Sequence, residues 1–428
     1  MTQNGRMAIL VGGGPAPGIN SVIAAASIRA CLEGLDVVGI REGFSHLMRG
    51  DLDQVTPLTI DRVSRIHFRG GSAIGTSRAN PTREEASMAA TVQSLRDLGV
   101  SMVLTIGGDD TAYSARCLSE ATAGEIRVAH VPKTIDNDLD LPPNIDTFGF
   151  QTARHVGVEV IQNLMVDAKT TSRWYFVIAM GRKAGHLALG MGKAAGATLT
   201  LIPEEFGSSG VSIDQLVNIL AGAVIKRQAE GRSDGVAVIA EGVCLGIREE
   251  DLAGIGSLER DDHGHLRLAE LDIGRVLRHR VREMLQDLGI DSTIVSKDIG
   301  YELRSADPIP YDMEYTRDLG YCGAKFLIDG GSGCMVSMQE GRFVPIPFSQ
   351  LMDPATGRMS VRMVDIHSTR YAIARRYMIR LRRDDFDNPG VLEKLASTCG
   401  LSVDAFRARF EHACDGELPP LHLGPETT

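Results

Sequence analysis

The 428-residue sequence lacks the features of several broad classes of protein. No apolar run approaches the ~18 residues of a membrane-spanning helix, and the N-terminal segment MTQNGRMAILV lacks the apolar core of a signal peptide. An excess of positive charge is also lacking: the formal net charge is −10, and Lys and Arg form no run suited to DNA, RNA or an anionic membrane. We therefore expect no nucleic acid and no membrane among the partners.

Cysteine is sparse and shows no pairing motif. The seven cysteines are an odd number, and none lies in a Cys-x-x-Cys pair. This pattern favours reduced thiols over disulfides or a zinc site. We accordingly expect a cytoplasmic protein, in which any polyanionic ligand is small and meets a local cluster of positive charge.

Short apolar segments rich in β-branched residues recur along the chain, and Gly-rich turns and helical patterns follow them. The predicted strands are 7–11, 36–40, 101–106, 127–131, 174–179, 197–202 and 235–240. Strands this apolar are covered on both faces, which predicts an α/β fold with parallel sheets. Because 428 residues exceed what one core usually fills, we expect two domains. Open α/β sheets bind ligands at the carboxyl ends of their strands, and the reactive residues of this chain follow the strand ends.

The later segments predict helices and loops. A loop and an amphipathic helix are expected over 205–234, a long helix over 271–288, and Arg-rich helices from about 370. Residues 247–270 are acidic and contain glycines, so we predict a surface excursion there. We interpret Glu204 and Glu205 as a solvated turn, and the stretch RYAIARRYMIRLRRDDF as a salt-bridged helix face.

The segment VGGGPAPGIN follows a predicted strand and opens a helix, which is the context of a phosphate-binding loop. It fails two familiar templates. The dinucleotide fingerprint would need glycine where Pro17 stands, and the Walker motif would need Lys and Ser or Thr where Ile19 and Asn20 stand. Such a turn could also serve only to join a strand to a helix.

Three further turns carry side chains suited to phosphate chemistry. They are GGSAIGTSRANP, GGDDT and PKTIDND, which supply Arg78, Lys133, Asp109, Asp110, Asp136 and Asp138. Phosphoryl transfer needs backbone N–H groups, a carboxylate for Mg²⁺, cations and a base for the acceptor hydroxyl. A single aspartate would fit a turn or helix cap equally well. Four of them after consecutive strands, beside two glycine turns, favour a site.

These motifs identify a family resemblance. GGGPAPGIN, GGDDT, PKTIDND, MGRKAGHLAL, AEG and GYELR occur in the order and spacing of the 6-phosphofructokinases, over roughly residues 7–345. The resemblance implies two Rossmann-like three-layer domains with the active site in the cleft between them, plus C-terminal helices. The phosphoryl-donor domain would comprise 1–150 with 300–350. The sugar phosphate domain would comprise 151–299 with 351–428, including a C-terminal helical extension.

The resemblance also implies roles on the donor side. Gly13, Gly14, Arg78 and Gly108 would bind the donor, and Asp109 would hold Mg²⁺, the expected cofactor. The residues implied to be catalytic are Asp136, Lys133, Asp110 and Arg182. Among them, Asp136 would take the proton from the 1-hydroxyl of fructose 6-phosphate as that hydroxyl attacks in line.

On the acceptor side, the resemblance implies a larger set of contacts. The expected substrate-binding residues are Thr134, Ile135, Asp136, Asp138, Arg173, Met180, Gly181, Arg182, Glu241, Tyr301 and Arg304. Thr134 and Asp138 would orient the acceptor, Glu241 would bind sugar hydroxyls, and Tyr301 and Arg304 would bind the 6-phosphate. The family's second 6-phosphate arginine has no counterpart here, although Lys297 is near that position. Arg173 would reach a neighbouring subunit's site, which implies a homodimer or homotetramer.

Asp110 departs from the ATP-using members of the family, which typically have glycine at that position. A carboxylate there adds bulk and negative charge where the α-phosphate of a nucleotide would lie. Two like unit charges 4 Å apart repel by roughly 4 kcal/mol at an effective dielectric of about 20, which is about three decades in binding. Pyrophosphate has no α-phosphate, so the resemblance implies reversible phosphoryl transfer from pyrophosphate, in glycolysis or gluconeogenesis.

Other functions remain open at this stage. The alternatives are an ATP-dependent 6-phosphofructokinase and a non-catalytic phosphate-binding regulatory subunit. Lipid and NAD kinases share the GGDG-type turn, but TIDND, MGR and GYELR argue against them.

Overall fold

The computed structural model describes residues 5–207, 210–248, 251, 272–352 and 360–424, so most of the segment predicted as an acidic excursion lies outside the described residues. The chain forms two compact units. The first unit comprises Met1–Val156 and Tyr301–Arg362, and the second comprises Gly157–Gly300 and Met363–Thr428.

The strands and helices alternate over most of the chain. The strands are β1 Arg6–Val11, β2 Asp36–Ile40, β3 Val55–Pro57, β4 Val100–Gly107, β5 Arg127–Thr134, β6 Phe148–Gly149, β7 Arg173–Ala179, β8 Leu199–Leu201, β9 Gly235–Ala240, β10 Thr293–Ile299, β11 Cys334–Met335, β12 Met338–Gln339, β13 Arg342–Phe343 and β14 Ile346–Pro347. The first eight helices are α1 Ile19–Leu32, α2 Ile60–Val63, α3 Glu85–Asp97, α4 Asp109–Ala121, α5 Phe150–Thr171, α6 His186–Ala195, α7 Ile213–Ala229 and α8 Glu241–Leu245. The later helices are Ile273–Asp287, Tyr301–Arg304, Pro310–Ile328, Thr369–Tyr377, Arg383–Asp387, Pro389–Thr398 and Val403–Phe410.

The first unit is built on one sheet with the strand order β14-β11-β5-β4-β1-β2-β3, and β6 pairs with β5. The pairs from β11 through β5, β4 and β1 to β2 are parallel, and both outer pairs are antiparallel. The carboxyl ends of β1, β4 and β5 therefore meet at one edge, and the turns that follow them carry the predicted donor residues.

Each face of this sheet has its own apolar core, because the side chains of a strand alternate between faces. Met7, Ile9 and Val11 of β1 pack into one cluster with α1 and the helix Pro310–Ile328. Ala8 and Leu10 pack into the other cluster with α3 and α4. Helices thus cover both faces, as the continuously apolar strands predict.

The second unit has a parallel sheet with the order β10-β7-β9-β8. The predicted α/β class with parallel sheets and C-terminal helices is confirmed. Strand β10 was not predicted, because its sequence TIVSKDI contains Ser, Lys and Asp and the strand lies at a partly exposed sheet edge. Within the described ranges, no helix is long and apolar enough to cross a membrane.

Candidate active site

The Gly-rich turn after β1 is anchored on both sides by main-chain hydrogen bonds. Gly12 N–H donates to the Ile106 carbonyl at the end of β4 (2.8 Å), and Gly13 N–H donates to the Ser77 carbonyl (2.8 Å). Gly13 has a φ of +82°, a conformation that strains any residue with a side chain. Ser77 belongs to the segment 70–81 and precedes Arg78, which is exposed. The turn is thereby fixed against both of the segments predicted to share its ligand.

Thr111 joins this turn to the GGDDT turn. A Cβ atom on Gly12 would lie 2.3 Å from Thr111 Oγ1, and a Cβ on Gly107 would lie 2.4 Å from Thr111 Cβ. Glycine is therefore required at both positions for the buried Thr111 side chain to fit between the two backbones. The sequence did not single out Thr111, because a threonine in the first turn of a helix carries no signal of a distant contact.

Two cationic side chains flank Gly14. Lys133 is only 5% exposed, and its Nζ donates to the Gly14 carbonyl at 2.6 Å. From the other direction, a Cβ on Gly14 would lie 2.7 Å from Nη1 of Arg304. The Arg304 guanidinium also lies over the ring of Tyr301, 4.7 Å from its centroid. The structure thus places Arg304, predicted to bind the sugar 6-phosphate, beside the turn predicted to bind the donor.

The two aspartates of GGDDT open helix α4, with Gly108 as its N-cap and no side chain capping the helix. The first N–H groups of the helix therefore point toward the sheet edge, where they favour an anion. Asp109 is half-buried and Asp110 is exposed. Among the residues that the structure describes, no group of three or more His, Cys, Asp or Glu side chains could hold a metal ion.

The segment TIDND follows β5 and is almost entirely buried. Ile135, Asp136 and Asp138 are 4%, 7% and 9% exposed, and Asp136 N–H donates to Thr134 Oγ1 at 3.0 Å. Burial strengthens every electrostatic interaction that a carboxylate makes. Asp136 therefore has the shielded surroundings and fixed backbone expected of a general base.

His130 supports the GGDDT turn from within the sheet. It is fully buried, with Nε2 3.0 Å from the Gly107 carbonyl and Nδ1 2.8 Å from Thr105 Oγ1. Because a carbonyl only accepts, Nε2 carries the proton, and the neutral ring accepts from the Thr105 hydroxyl at Nδ1. Burial lowers the pKa of His130 to about 3. The histidine was not predicted as part of the site, since an isolated His in an apolar strand gives no sign of its partners.

The His130 environment predicts a loss of stability in acid. His130 is protonated near pH 6.5 in the unfolded chain but only near pH 3 in the folded chain. Its contribution to the free energy of unfolding is therefore retained above pH 6.5 and is lost as the pH falls below that value. We expect His130 to contribute a loss of about 1 kcal/mol between pH 6.5 and 5.5. Urea unfolding at both pH values should show this loss in the unaltered protein and a smaller loss in His130→Gln. Equal losses in both proteins would contradict the assignment.

In the second unit, Glu241 holds the MGR turn that follows β7. Gly181 N–H and Arg182 N–H both donate to Glu241 Oε2, at 3.3 and 3.4 Å, and Met180 N–H donates to the Ile299 carbonyl at 2.9 Å. Arg182 has a φ of +49°, which is uncommon for a residue with a side chain. The structure therefore brings together four of the residues predicted to bind the sugar phosphate.

Arg173 does not join this group. It is the first residue of β7, whereas Met180 directly follows the strand's last residue. At about 3.3 Å per residue, the two ends of the strand lie roughly 20 Å apart. Arg173 Nε lies 4.0 Å from Asp167 Oδ2. Within one chain, Arg173 and the MGR turn cannot contact the same small phosphate ester.

Comparison with known proteins extends these observations to the whole chain. The phosphofructokinase family model matches residues 6–327. The chain is 52% identical over 419 residues to the pyrophosphate–fructose 6-phosphate 1-phosphotransferase of Thermotoga maritima, covering 97% of this chain and 99% of that protein. It is 46% identical to the protein of the same name from Naegleria fowleri, covering 95% of each chain.

A solved structure shows the same fold. The pyrophosphate-dependent phosphofructokinase of Nitrosospira multiformis superposes with a TM-score of 0.66 at 17% identity, covering 93% of this chain and 92% of that chain. At this level of identity the likeness concerns the fold alone. The family match and the two relatives settle the classification: the chain belongs to the phosphofructokinase family.

Proposed function

We propose that this protein transfers a phosphoryl group from pyrophosphate to the 1-hydroxyl of fructose 6-phosphate, giving fructose 1,6-bisphosphate and orthophosphate (EC 2.7.1.90). The observation that carries the proposal is the joined pair of glycine turns. Thr111 packs against Gly12 and Gly107, and this contact sets the Asp109–Asp110 pair beside the turn bound by Lys133. The names of the two relatives support the same donor and acceptor.

On the donor side, the residues present neutralise and orient a small polyanion. The N-terminus of α4 supplies main-chain N–H groups, and the lack of side chains at Gly13 and Gly14 lets the donor approach the backbone there. Lys133 supplies a fixed positive charge beside Gly14, which stabilises the charge that develops on the leaving orthophosphate. Arg304, together with Tyr301, remains assigned to the 6-phosphate of the acceptor in this proposal. Asp109 would hold Mg²⁺, which, when bound, neutralises the donor oxygens. Arg78 and Gly108 are further donor contacts in this proposal.

On the acceptor side, Asp136 accepts the proton of the attacking 1-hydroxyl. Thr134, Ile135 and Asp138 orient the acceptor beside it. This assignment fits the buried, hydrogen-bonded backbone of TIDND, because a base must be held in place to transfer a proton efficiently.

The second unit supplies residues that bind the sugar phosphate in this proposal. Met180, Gly181 and Arg182 form the turn that Glu241 holds in place. Glu241 has a second oxygen with which to accept from a sugar hydroxyl. Arg173 lies at the far end of β7 and acts instead on the site of another subunit of a homodimer or homotetramer. We place the enzyme in the cytoplasm, in glycolysis or gluconeogenesis.

The proposed reaction should run in both directions. The bond broken in pyrophosphate and the phosphate ester formed differ less in free energy than the corresponding pair with ATP. We expect purified protein with Mg²⁺ to release orthophosphate from pyrophosphate only when fructose 6-phosphate is present. It should also form pyrophosphate from fructose 1,6-bisphosphate and orthophosphate. Orthophosphate release that does not depend on the sugar phosphate would indicate a pyrophosphatase and contradict the proposal.

A further inference from the structure

Arg362 is the last residue of the first unit and lies beyond the residues 6–327 matched by the family model. The short segment that it ends runs along the TIDND turn. Val361 forms an antiparallel bridge with Leu139, and Arg362 N–H donates to the Asp138 carbonyl at 2.8 Å. A segment outside the matched family region thus contacts the backbone of the proposed catalytic turn.

The Arg362 side chain makes three further hydrogen bonds, two to Asn137 of this turn and one to Ile145 in the loop that follows it. Its Nε donates to the Asn137 carbonyl at 3.2 Å, and its Nη1 donates to the Ile145 carbonyl at 2.8 Å. Its Nη2 donates to Asn137 Oδ1. One planar guanidinium therefore ties residue 137 to residue 145, which lie near the two ends of the loop between β5 and β6. Lysine could not reproduce this fork.

Asn137 is the residue that this fork holds. It stands between Asp136 and Asp138 and has a φ of +58°, a left-handed conformation that asparagine adopts more readily than most residues with a side chain. Its side chain completes the network: Oδ1 also accepts from Thr147 N–H at 3.0 Å, and Nδ2 donates to Asp146 Oδ1 at 2.8 Å. The direction of the Asp136 side chain depends on this turn of the backbone.

Electrostatic attraction also holds the Arg362 side chain against this loop. The carboxylates of Asp146, Asp140 and Asp138 all attract the Arg362 guanidinium. Without this positive charge, the three carboxylates would only repel one another. Arginine remains protonated in proteins at any working pH, so the attraction is permanent.

We propose that Arg362 is a positioning residue for phosphoryl transfer, which fixes the backbone of Asn137 and thereby aims Asp136 at the acceptor hydroxyl. This inference rests on the proposed function, in which Asp136 is the base. Arg362 itself touches neither substrate; it acts through the loop.

The kinetic test compares Arg362→Met, Arg362→Lys and Arg362→Ala with Arg382→Met. Arg382 is a matched control in the second unit, because its Nη2 also donates to main-chain carbonyls, those of Arg375 (3.1 Å) and Met378 (2.9 Å). We expect Arg362→Met to lower kcat about 100-fold, as misplacing a catalytic group by ~1 Å does, with the KM for pyrophosphate changed little. Arg362→Lys should recover only part of the loss, and added guanidinium should partly restore Arg362→Ala. Arg382→Met should lower the Tm and leave kcat unchanged.

Hydrogen exchange tests the loop without relying on catalysis. The amides of residues 136–141 and 144–147 should exchange faster in Arg362→Met, while those of β1 and β4 keep their protection. Unchanged exchange in the loop, or a kcat equal to that of the unaltered protein, would overturn the inference. So would a loss of kcat in Arg362→Met that Arg382→Met reproduces at an equal fall in Tm. Absence of pyrophosphate turnover by the unaltered protein would instead overturn the proposed function.

Discussion

Replacing Asp136 by asparagine should lower kcat by about 10²- to 10⁴-fold, the range that general acid–base catalysis contributes. Asparagine keeps the shape of the side chain but cannot accept the proton of the attacking hydroxyl. The KM values should change little, because the Thr134 hydroxyl that accepts from the main-chain N–H of residue 136 is retained. Steady-state kinetics with pyrophosphate and fructose 6-phosphate measure both parameters.

Measuring the stability of each variant should distinguish a loss of catalysis from a loss of folded protein. Asp136 is 7% exposed, and a buried carboxylate is unfavourable to desolvate, so Asp136→Asn should be at least as stable as the unaltered protein. Asp312 offers a contrast, because this buried carboxylate accepts from Gly149 N–H (3.0 Å) and Thr152 N–H (2.7 Å). Asp312→Asn should lower the Tm clearly, whereas its effect on the kcat of the folded protein should be small. If Asp136→Asn kept a kcat within a few-fold of normal, another residue would be the base.

Replacing Asp110 by glycine should relax the choice of phosphoryl donor. Removing the carboxylate takes away both the bulk and the negative charge proposed to exclude an α-phosphate. Asp110 is exposed, so the repulsion lies between about 1 kcal/mol in water and about 4 kcal/mol at a dielectric of 20. We therefore expect kcat/KM for ATP relative to pyrophosphate to rise by about 5- to 1000-fold.

Asp110→Asn distinguishes the contribution of the side chain's volume from that of its negative charge. Asparagine retains the volume and removes the charge, so an intermediate shift would assign part of the selectivity to each. Glycine in the first turn of α4 should also destabilise the helix by about 1 kcal/mol, so the donors must be compared below the unfolding temperature of each variant. A donor preference unchanged in both variants would show that Asp110 does not select the donor.

The edge of the sheet that carries the candidate site could be predicted from the sequence. Apolar strands of 4–8 residues have a strong local pattern, and polar residues that follow them lie at the carboxyl edge. The prediction for β5 stopped at Val131, whereas the strand continues to Thr134 and includes Lys133. The pattern ended early because proline and lysine are depleted in strands, although here they are buried.

Contacts between segments that are distant in the sequence could not be predicted from local sequence patterns. Thr111, His130 and Arg362 support the proposed site through partners that only the folded chain brings near. Local patterns carry no information about such pairs, and Arg362 also lies outside the motifs that carry the family resemblance.

The interpretation of Glu204 and Glu205 as a solvated turn was wrong for the same reason. Glu205 Oε2 lies 2.8 Å from Arg380 Nη1, and the two side chains are only 7% and 4% exposed. Glu204 Oε1 accepts from Gly185 N–H at 2.9 Å and from Val364 N–H at 2.9 Å. The Arg-rich stretch was likewise not one helix face. It divides into the helices Thr369–Tyr377 and Arg383–Asp387, and Arg380 lies between them.

The choice of phosphoryl donor is tested by dividing the kcat/KM for pyrophosphate by that for ATP, both measured on the unaltered protein with fructose 6-phosphate and Mg²⁺. We expect this ratio to exceed about 100, which corresponds to a difference of roughly 2.7 kcal/mol in transition-state binding. A ratio near or below one would contradict the claim that this protein is built to use pyrophosphate.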